Sequence, residues 1–237
     1  MIHLIGMGMG VAQLTGEAVA ALRGCDYVVA ASKREDDGLL ALRREVCEVY
    51  DVELVVVPDP DRDRSDPADY PGAVRDWHAA RVAAYRDVIE QRGGTAGFLV
   101  WGDPALYDST IRVVSAITSD FDVLPGISAP QLLAARHRIV LHGVGQAVHV
   151  TTARRLRDDI ARGEGNLVVF LTGSLDLSGL DDWRIWWGAN LGTGSERLVS
   201  GHVADVLSEI QVARAAAKQQ AGWVMDLYLL RAPEVLA

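Results

Sequence analysis

Short apolar runs alternate with stretches of helical periodicity through the first half of the chain, and glycine-bearing turns close several of the runs. Residues 2–5 form a compact apolar run that stops at Gly6, Gly8 and Gly10, the pattern of a buried strand feeding a tight turn. A helix is predicted next: Leu14, Ala18, Ala21 and Leu22 recur at helical spacing, Glu17 suits the N-terminal dipole and Gly24 suits the end. Strands are then predicted over 27–31 and 49–57, and a polar, proline-rich excursion over 58–67. Val74, Trp77, Arg81, Tyr85, Val88 and Ile89 follow a helical rhythm that Gly93 and Gly94 terminate, with the Arg81 stem able to cover apolar surface. A strand over 96–101 runs into Gly102, Asp103 and Pro104, and a helix carries Ile111, Val114 and Ile117. A last strand over 121–124 meets Pro125, Gly126, Ile127 and Ser128 ahead of a helix through 131–136. Repeated strand, loop and helix predicts an α/β layer with its loops gathered at the strand C-termini.

The rhythm breaks over 139–146 into a short glycine-bearing stretch, which we take as a linker between an N-terminal α/β domain, 1–140, and a smaller α/β domain, 146–237. Beyond it, strands are predicted over 147–151, 167–171, 185–187 and 224–230, and helices over 154–162 and 204–220. They suggest a smaller mixed sheet.

Composition narrows the function classes. The chain has 237 residues, 49% apolar and 23% charged, with a formal charge of −9, which argues against a nucleic-acid partner because such proteins need a basic face. A polyanionic ligand would have to meet a local basic patch. Cys25 and Cys47 are the only cysteines, with no zinc-ligand spacing, so no metal is expected. The first residues lack the charged and apolar regions of a secretion signal, and there is no apolar run near 18 residues, so a cytoplasmic protein without a membrane partner is expected.

Three loops carry the candidate chemistry. Gly6, Gly8 and Gly10 are spaced G-x-G-x-G, not the G-x-G-x-x-G of a dinucleotide fold, and read equally as a tight turn or a cofactor contact. Asp103, ahead of an expected helix, can accept from a ligand or simply cap the helix, and Ser128 has the same two readings. In a parallel sheet these loops line one edge, where ligands of such folds sit.

These loops, Gly6 to Gly10, Gly102 to Tyr107 and Pro125 to Ala129, resemble the three ordered loops of the tetrapyrrole (corrin and porphyrin) methylases, and the likeness spans nearly the whole chain. Met9 stands where that family usually has proline, and Val11 where an acidic residue is common. The segments Leu106 to Thr110, Ala135 to His137, Thr151 to Leu156, Trp187 to Gly192 and Gly222 to Arg231 resemble its deacetylating branch. The resemblance implies the two-domain class III methyltransferase fold with a ligand cleft between the domains, S-adenosylmethionine as methyl donor and a homodimer. It further implies methylation of ring carbon 1 of precorrin-5, with the acetyl group there released as acetate.

Carried residue by residue, the resemblance assigns donor contacts to Met9, Trp101, Gly102, Asp103, Leu106, Ser128, Ala129 and Leu171. Methyl transfer from a sulfonium asks mainly for positioning, with reacting atoms roughly 3 to 3.5 Å apart. Deacylation also needs a base and oxyanion donors, for which Tyr107 and His137 are the first candidates and Asp108 and His142 the next. For the substrate carboxylates the best basic cluster is Arg154, Arg155 and Arg157, with Lys33 and Arg34 second, although Arg154 to Asp159 also reads as a solvated helix start. Three rival readings exist. A nucleotide-dependent oxidoreductase should show the longer glycine fingerprint, a diphthine synthase-like or ribosomal-RNA methylase-like enzyme would keep the donor loops and change the acceptor, and a non-enzymatic module would need no paired glycine loops.

Overall fold

A computed structural model of the chain describes residues 1–32, 38–60, 70–173 and 175–236. Lys33, Arg34, the 61–67 part of the proline-rich stretch and the Val74 side chain lie outside the described residues. The chain divides into two compact units, Met1–Ile127 and Ser128–Ala237. The division falls ahead of the stretch at 139–146 because the helix after the third glycine loop packs on the second sheet.

The first unit runs β1 (Ile2–Gly6), α1 (Gly16–Arg23), β2 (Tyr27–Ser32), α2 (Gly38–Tyr50), β3 (Glu53–Pro58), α3 (Tyr70–Arg92), β4 (Ala96–Val100), α4 (Thr110–Ser115) and β5 (Phe121–Leu124). Its five strands are all parallel, in the order β3-β2-β4-β1-β5. Both faces of the sheet are covered, which is why its central strands read as continuous apolar runs. Leu4, Val29, Phe98 and Val114 lie in one core with Tyr85 of α3, while Ile5, Val28 and Leu99 lie in the other with Leu22 of α1 and Val46 of α2. Thr15 caps α1 by accepting from the Ala18 N–H at 3.1 Å.

Two details depart from the sequence pattern. Residues 49 and 50 end helix α2 instead of opening a strand: Asp51 turns left-handed at φ 55°, the Val52 N–H donates to the Cys47 carbonyl at 3.0 Å, and β3 starts at Glu53. The β-branched run had masked a helix whose buried side chains are few, Leu40, Val46 and Cys47. Arg81 does more than cover apolar surface. Its guanidinium lies over Trp77 at 4.1 Å and donates to buried Asp59, with Nη2 to Oδ1 at 2.6 Å, fastening α3 to the end of β3.

The second unit runs α5 (Ala129–His137), β6 (His149–Thr152), α6 (Leu156–Ala161), β7 (Asn166–Phe170), β8 (Arg184–Ala189), β9 (Arg197–His202), α7 (Val203–Ala221), β10 (Asp226–Arg231) and α8 (Pro233–Leu236). The sheet is mixed as the pattern suggests, in the order β6-β7-β10-β8-β9, with β6 parallel to β7 and the other pairs antiparallel. Trp187, Tyr228 and Ile185 form its core with Ile210 of α7 and Leu156 of α6. On the opposite face, Leu133 of α5 fills the space a side chain at Gly188 would occupy. Strand β9 escapes the sequence pattern because only Val199 of its residues is buried. Among the described residues, no helix is long and apolar enough to cross a membrane.

Candidate active site

Because β4, β1 and β5 are parallel neighbours, their following loops emerge side by side at one edge of the first sheet. The glycines let these loops close onto one another. A β-carbon on Gly126 would sit 2.2 Å from the Gly102 carbonyl oxygen, and one on Gly6 would sit 2.4 Å from the Gly126 nitrogen. Gly8 and Gly102 exchange two backbone hydrogen bonds, at 3.2 and 2.8 Å, both from left-handed backbone at φ 57° and 70°. Gly10, at φ 132° and ψ −175°, occupies a region essentially closed to other residues. The first loop is steadied by Gln13, whose Oε1 accepts from the N–H of buried Met9 at 3.1 Å.

Asp103 does not cap a helix, which corrects one of its two sequence readings: residues 103–107 form a turn, and α4 begins only at Thr110, after Ser109. Its Oδ1 accepts from the Ala105 N–H at 2.8 Å and its Oδ2 from the Gly126 N–H at 2.9 Å, so one carboxylate ties the second loop to the third. Trp101 and Leu106 are half-buried beside it. Tyr107 stands 50% exposed in a left-handed conformation, φ 51°, unusual for an aromatic residue and a mark of local constraint. Asp108 faces the following helix, its Oδ1 accepting from the Thr110 N–H at 2.6 Å.

In the second unit, Ser128 is the N-cap of α5. Its N–H and hydroxyl both donate to Gln131 Oε1 at 2.9 Å, and Ala129 opens the helix. At the other end of α5, His137 Nε2 donates to the Trp187 carbonyl at 2.9 Å, leaving Nδ1 as its acceptor. Burial pulls the His137 pKa below its ordinary value, against the weaker upward pulls of that carbonyl and of Glu196. His142 is exposed, with Nδ1 against the Gly143 carbonyl. Leu171, just past β7, is 65% exposed and left-handed at φ 54°.

The three arginines differ. Arg157 is committed, donating through Nη2 to the Ser178 carbonyl at 2.7 Å and pairing with Asp176 at 3.3 Å. Arg155 pairs with buried Asp159 at 3.5 Å, and Arg154 is exposed with no ion pair among the described residues. Neither cysteine is a nucleophile near neutrality, since burial pushes both thiols up to about 11.

Sequence reasoning passed over Gln13, Thr172 and Arg214. Arg214 Nε donates to Asp226 Oδ2 at 2.9 Å and its Nη2 to the Thr172 carbonyl at 2.7 Å. Nothing in the helical sequence around Arg214 marks it, since its partners are 12 and 42 residues away.

Comparison with known proteins gives one family model, the Tetrapyrrole (Corrin/Porphyrin) Methylases, matching residues 1–207. A precorrin-6A synthase (deacetylating) from Sinorhizobium sp is 40% identical over 247 residues, covering 97% of this chain and 94% of the relative. A solved cobalamin synthesis related protein (CobF) from Corynebacterium diphtheriae is 34% identical with a TM-score of 0.83, covering 98% of both chains. A uroporphyrin-III C-methyl transferase from Thermus thermophilus, solved with S-adenosyl homocysteine, shares the fold at a TM-score of 0.57 and 17% identity, covering 99% of this chain and 92% of its own.

Proposed function

The chain belongs to the tetrapyrrole (corrin/porphyrin) methylases, and from that premise we propose that it is a deacetylating precorrin-6A synthase of cobalamin biosynthesis. In this reading it is an S-adenosylmethionine-dependent methyltransferase that methylates ring carbon 1 of precorrin-5 and releases acetate. It works in the cytoplasm as a homodimer, with no nucleic-acid partner. The observation that carries the reading is the mutual closure of Gly6, Gly102 and Gly126 at one sheet edge, together with a 40% identical relative of that name.

The residues present fit the donor. Close backbone packing at Gly6, Gly102 and Gly126 holds the loops while a β-carbon at Gly10 would meet no atom within 4 Å, and in the second unit Thr172 Oγ1, 3% exposed as a residue, has no hydrogen-bond partner among the described residues. When bound, S-adenosylmethionine supplies a methyl group already activated on a sulfonium. We assign its contacts to Met9, Trp101, Gly102, Asp103, Leu106, Ser128, Ala129 and Leu171. Asp103 accepts one internal hydrogen bond at each oxygen and keeps lone pairs for a donor amine. Leu106 and the exposed Leu171 offer apolar surface to the adenosine.

For deacylation we assign His137 as the base, because burial keeps its imidazole neutral and the Trp187 carbonyl fixes its tautomer. Tyr107 serves as the oxyanion donor. Attack of water on the acetyl carbonyl breaks the bond to ring carbon 1, whose electron pair the conjugated macrocycle spreads while the base takes the proton of water. Arg154, Arg155 and Arg157 are assigned to the substrate carboxylates, with Arg154 foremost because it has no ion pair among the described residues. Calorimetry with S-adenosylhomocysteine and with NADPH tests the donor class. Binding of the first alone is expected, and binding of NADPH alone would return the glycine loops to a nucleotide-dependent oxidoreductase.

A further inference from the structure

Two non-glycine residues turn left-handed just past the two strands that flank β10 in the second sheet, and they are supported in different ways. Asn190, after β8 at φ 48°, carries its own support: its side-chain Oδ1 accepts from the Met225 N–H at 2.9 Å and its N–H donates to the Met225 carbonyl at 2.8 Å. Asn also tolerates this conformation through its short polar side chain. Leu171, after β7, has no such group, and the left-handed form brings its β-carbon against the following carbonyl oxygen. The turn is held from behind. The Gly173 N–H donates to the Leu171 carbonyl at 2.9 Å, and the Thr172 carbonyl accepts from Arg214 Nη2 at 2.7 Å.

Arg214 is itself fixed. Its Nε donates to Asp226 Oδ2, and the same oxygen accepts from the indole N–H of Trp187 at 3.1 Å. Asp226 has a side chain only 3% exposed, and Trp187 is fully enclosed in the core. The frame therefore runs from core to carboxylate to guanidinium to the backbone of the turn, and at its end Leu171 stands 65% exposed. A strained residue held by over-determined surroundings, with an apolar side chain turned to the outside, is the signature of a ligand contact and not of packing.

We propose that Arg214, held by Asp226 and Trp187, is a positioning residue that fixes the left-handed turn at Leu171 and so sets the affinity for the methyl donor. The inference rests on the reading of Leu171 as a donor contact. Arginine suits the task because its fork reaches the carboxylate and the carbonyl at once, through Nε and Nη2, whereas lysine offers a single point of charge.

The test is a double-mutant cycle read by calorimetry with S-adenosylhomocysteine. Arg214→Lys and Arg214→Met are each expected to raise its dissociation constant about tenfold, the loss of one charge-assisted hydrogen bond. With saturating donor, kcat and the acceptor KM are expected to stay at the wild-type values. Leu171→Ala should weaken binding alone, and adding Arg214→Lys to it should cost much less than in the parent. Full affinity in both Arg214 variants, with Leu171→Ala weakened, overturns the positioning role and leaves the donor reading standing. Full affinity in folded Leu171→Ala overturns the donor reading and the inference with it. Strictly additive losses, or a lowered Tm with unchanged affinity of the folded protein, also overturn the inference. Should Arg214→Met not fold, because it strands the Asp226 carboxylate, Arg214→Lys and the cycle decide.

Discussion

At the scale of single residues, Asp103 shows how a capping sequence can serve a different end. Its two oxygens each hold a loop N–H, so Asp103→Ala removes two hydrogen bonds that are only partly shielded from water, each worth about 0.5–1.5 kcal/mol net. The variant is expected to lose roughly 1–3 kcal/mol in urea unfolding and to bind S-adenosylhomocysteine more weakly. Unchanged stability and affinity would remove Asp103 from the site. His137 gives a pH prediction. Its folded pKa lies below that of the unfolded chain, so as the pH falls through the ordinary histidine range the unfolded chain gains a proton that the folded protein resists taking. Stability falls with it, and the penalty is absent above that range. His137→Gln, which can still donate to the Trp187 carbonyl, should flatten the fall of Tm between pH 8 and 5, roughly the window around the unperturbed histidine value. An unaltered slope would show that His137 does not set it.

At the scale of elements, the parallel sheet and its three loops were legible because buried parallel strands write themselves as uninterrupted apolar runs and the closing glycines punctuate them. Helix α2 was not, because β-branched Val49 and aromatic Tyr50 continue the strand-favouring composition of β3 backwards into its last turn. Strand β9 was not, because an edge strand with one buried residue carries no alternation. In the site, the loop glycines were visible while the Arg214 frame was not, since its parts meet only through tertiary contacts of α7, β8 and β10. The closure of the loops can be tested directly. Gly126→Ala would drive a methyl group against the Gly102 carbonyl, and it is expected to abolish measurable donor binding and to lower Tm, whereas Gly10→Ala meets no atom within 4 Å and strains only its own backbone. Equal donor affinity in both variants would mean that contact between the loops is dispensable.

At the scale of the whole molecule, a chain of charge −9 acting on a substrate with several carboxylates needs its cations placed locally. Arg154→Ala is expected to raise the tetrapyrrole KM roughly tenfold with donor affinity unchanged, whereas Arg157→Ala should act mainly on stability through its lost bonds to Ser178 and Asp176. An unchanged acceptor KM in Arg154→Ala would return it to a solvated surface. Methyl transfer and deacylation are coupled because ring carbon 1 has no free valence while it bears the acyl group: the electron pair left on it when the acyl group departs as acetate forms the bond to the methyl group. The direct measurement is incubation of the enzyme with methyl-labelled S-adenosylmethionine and precorrin-5, with acetate and methylated product quantified together. Equal amounts of the two are expected throughout the time course. Methylated product without acetate, or turnover confined to another precorrin, would contradict the account.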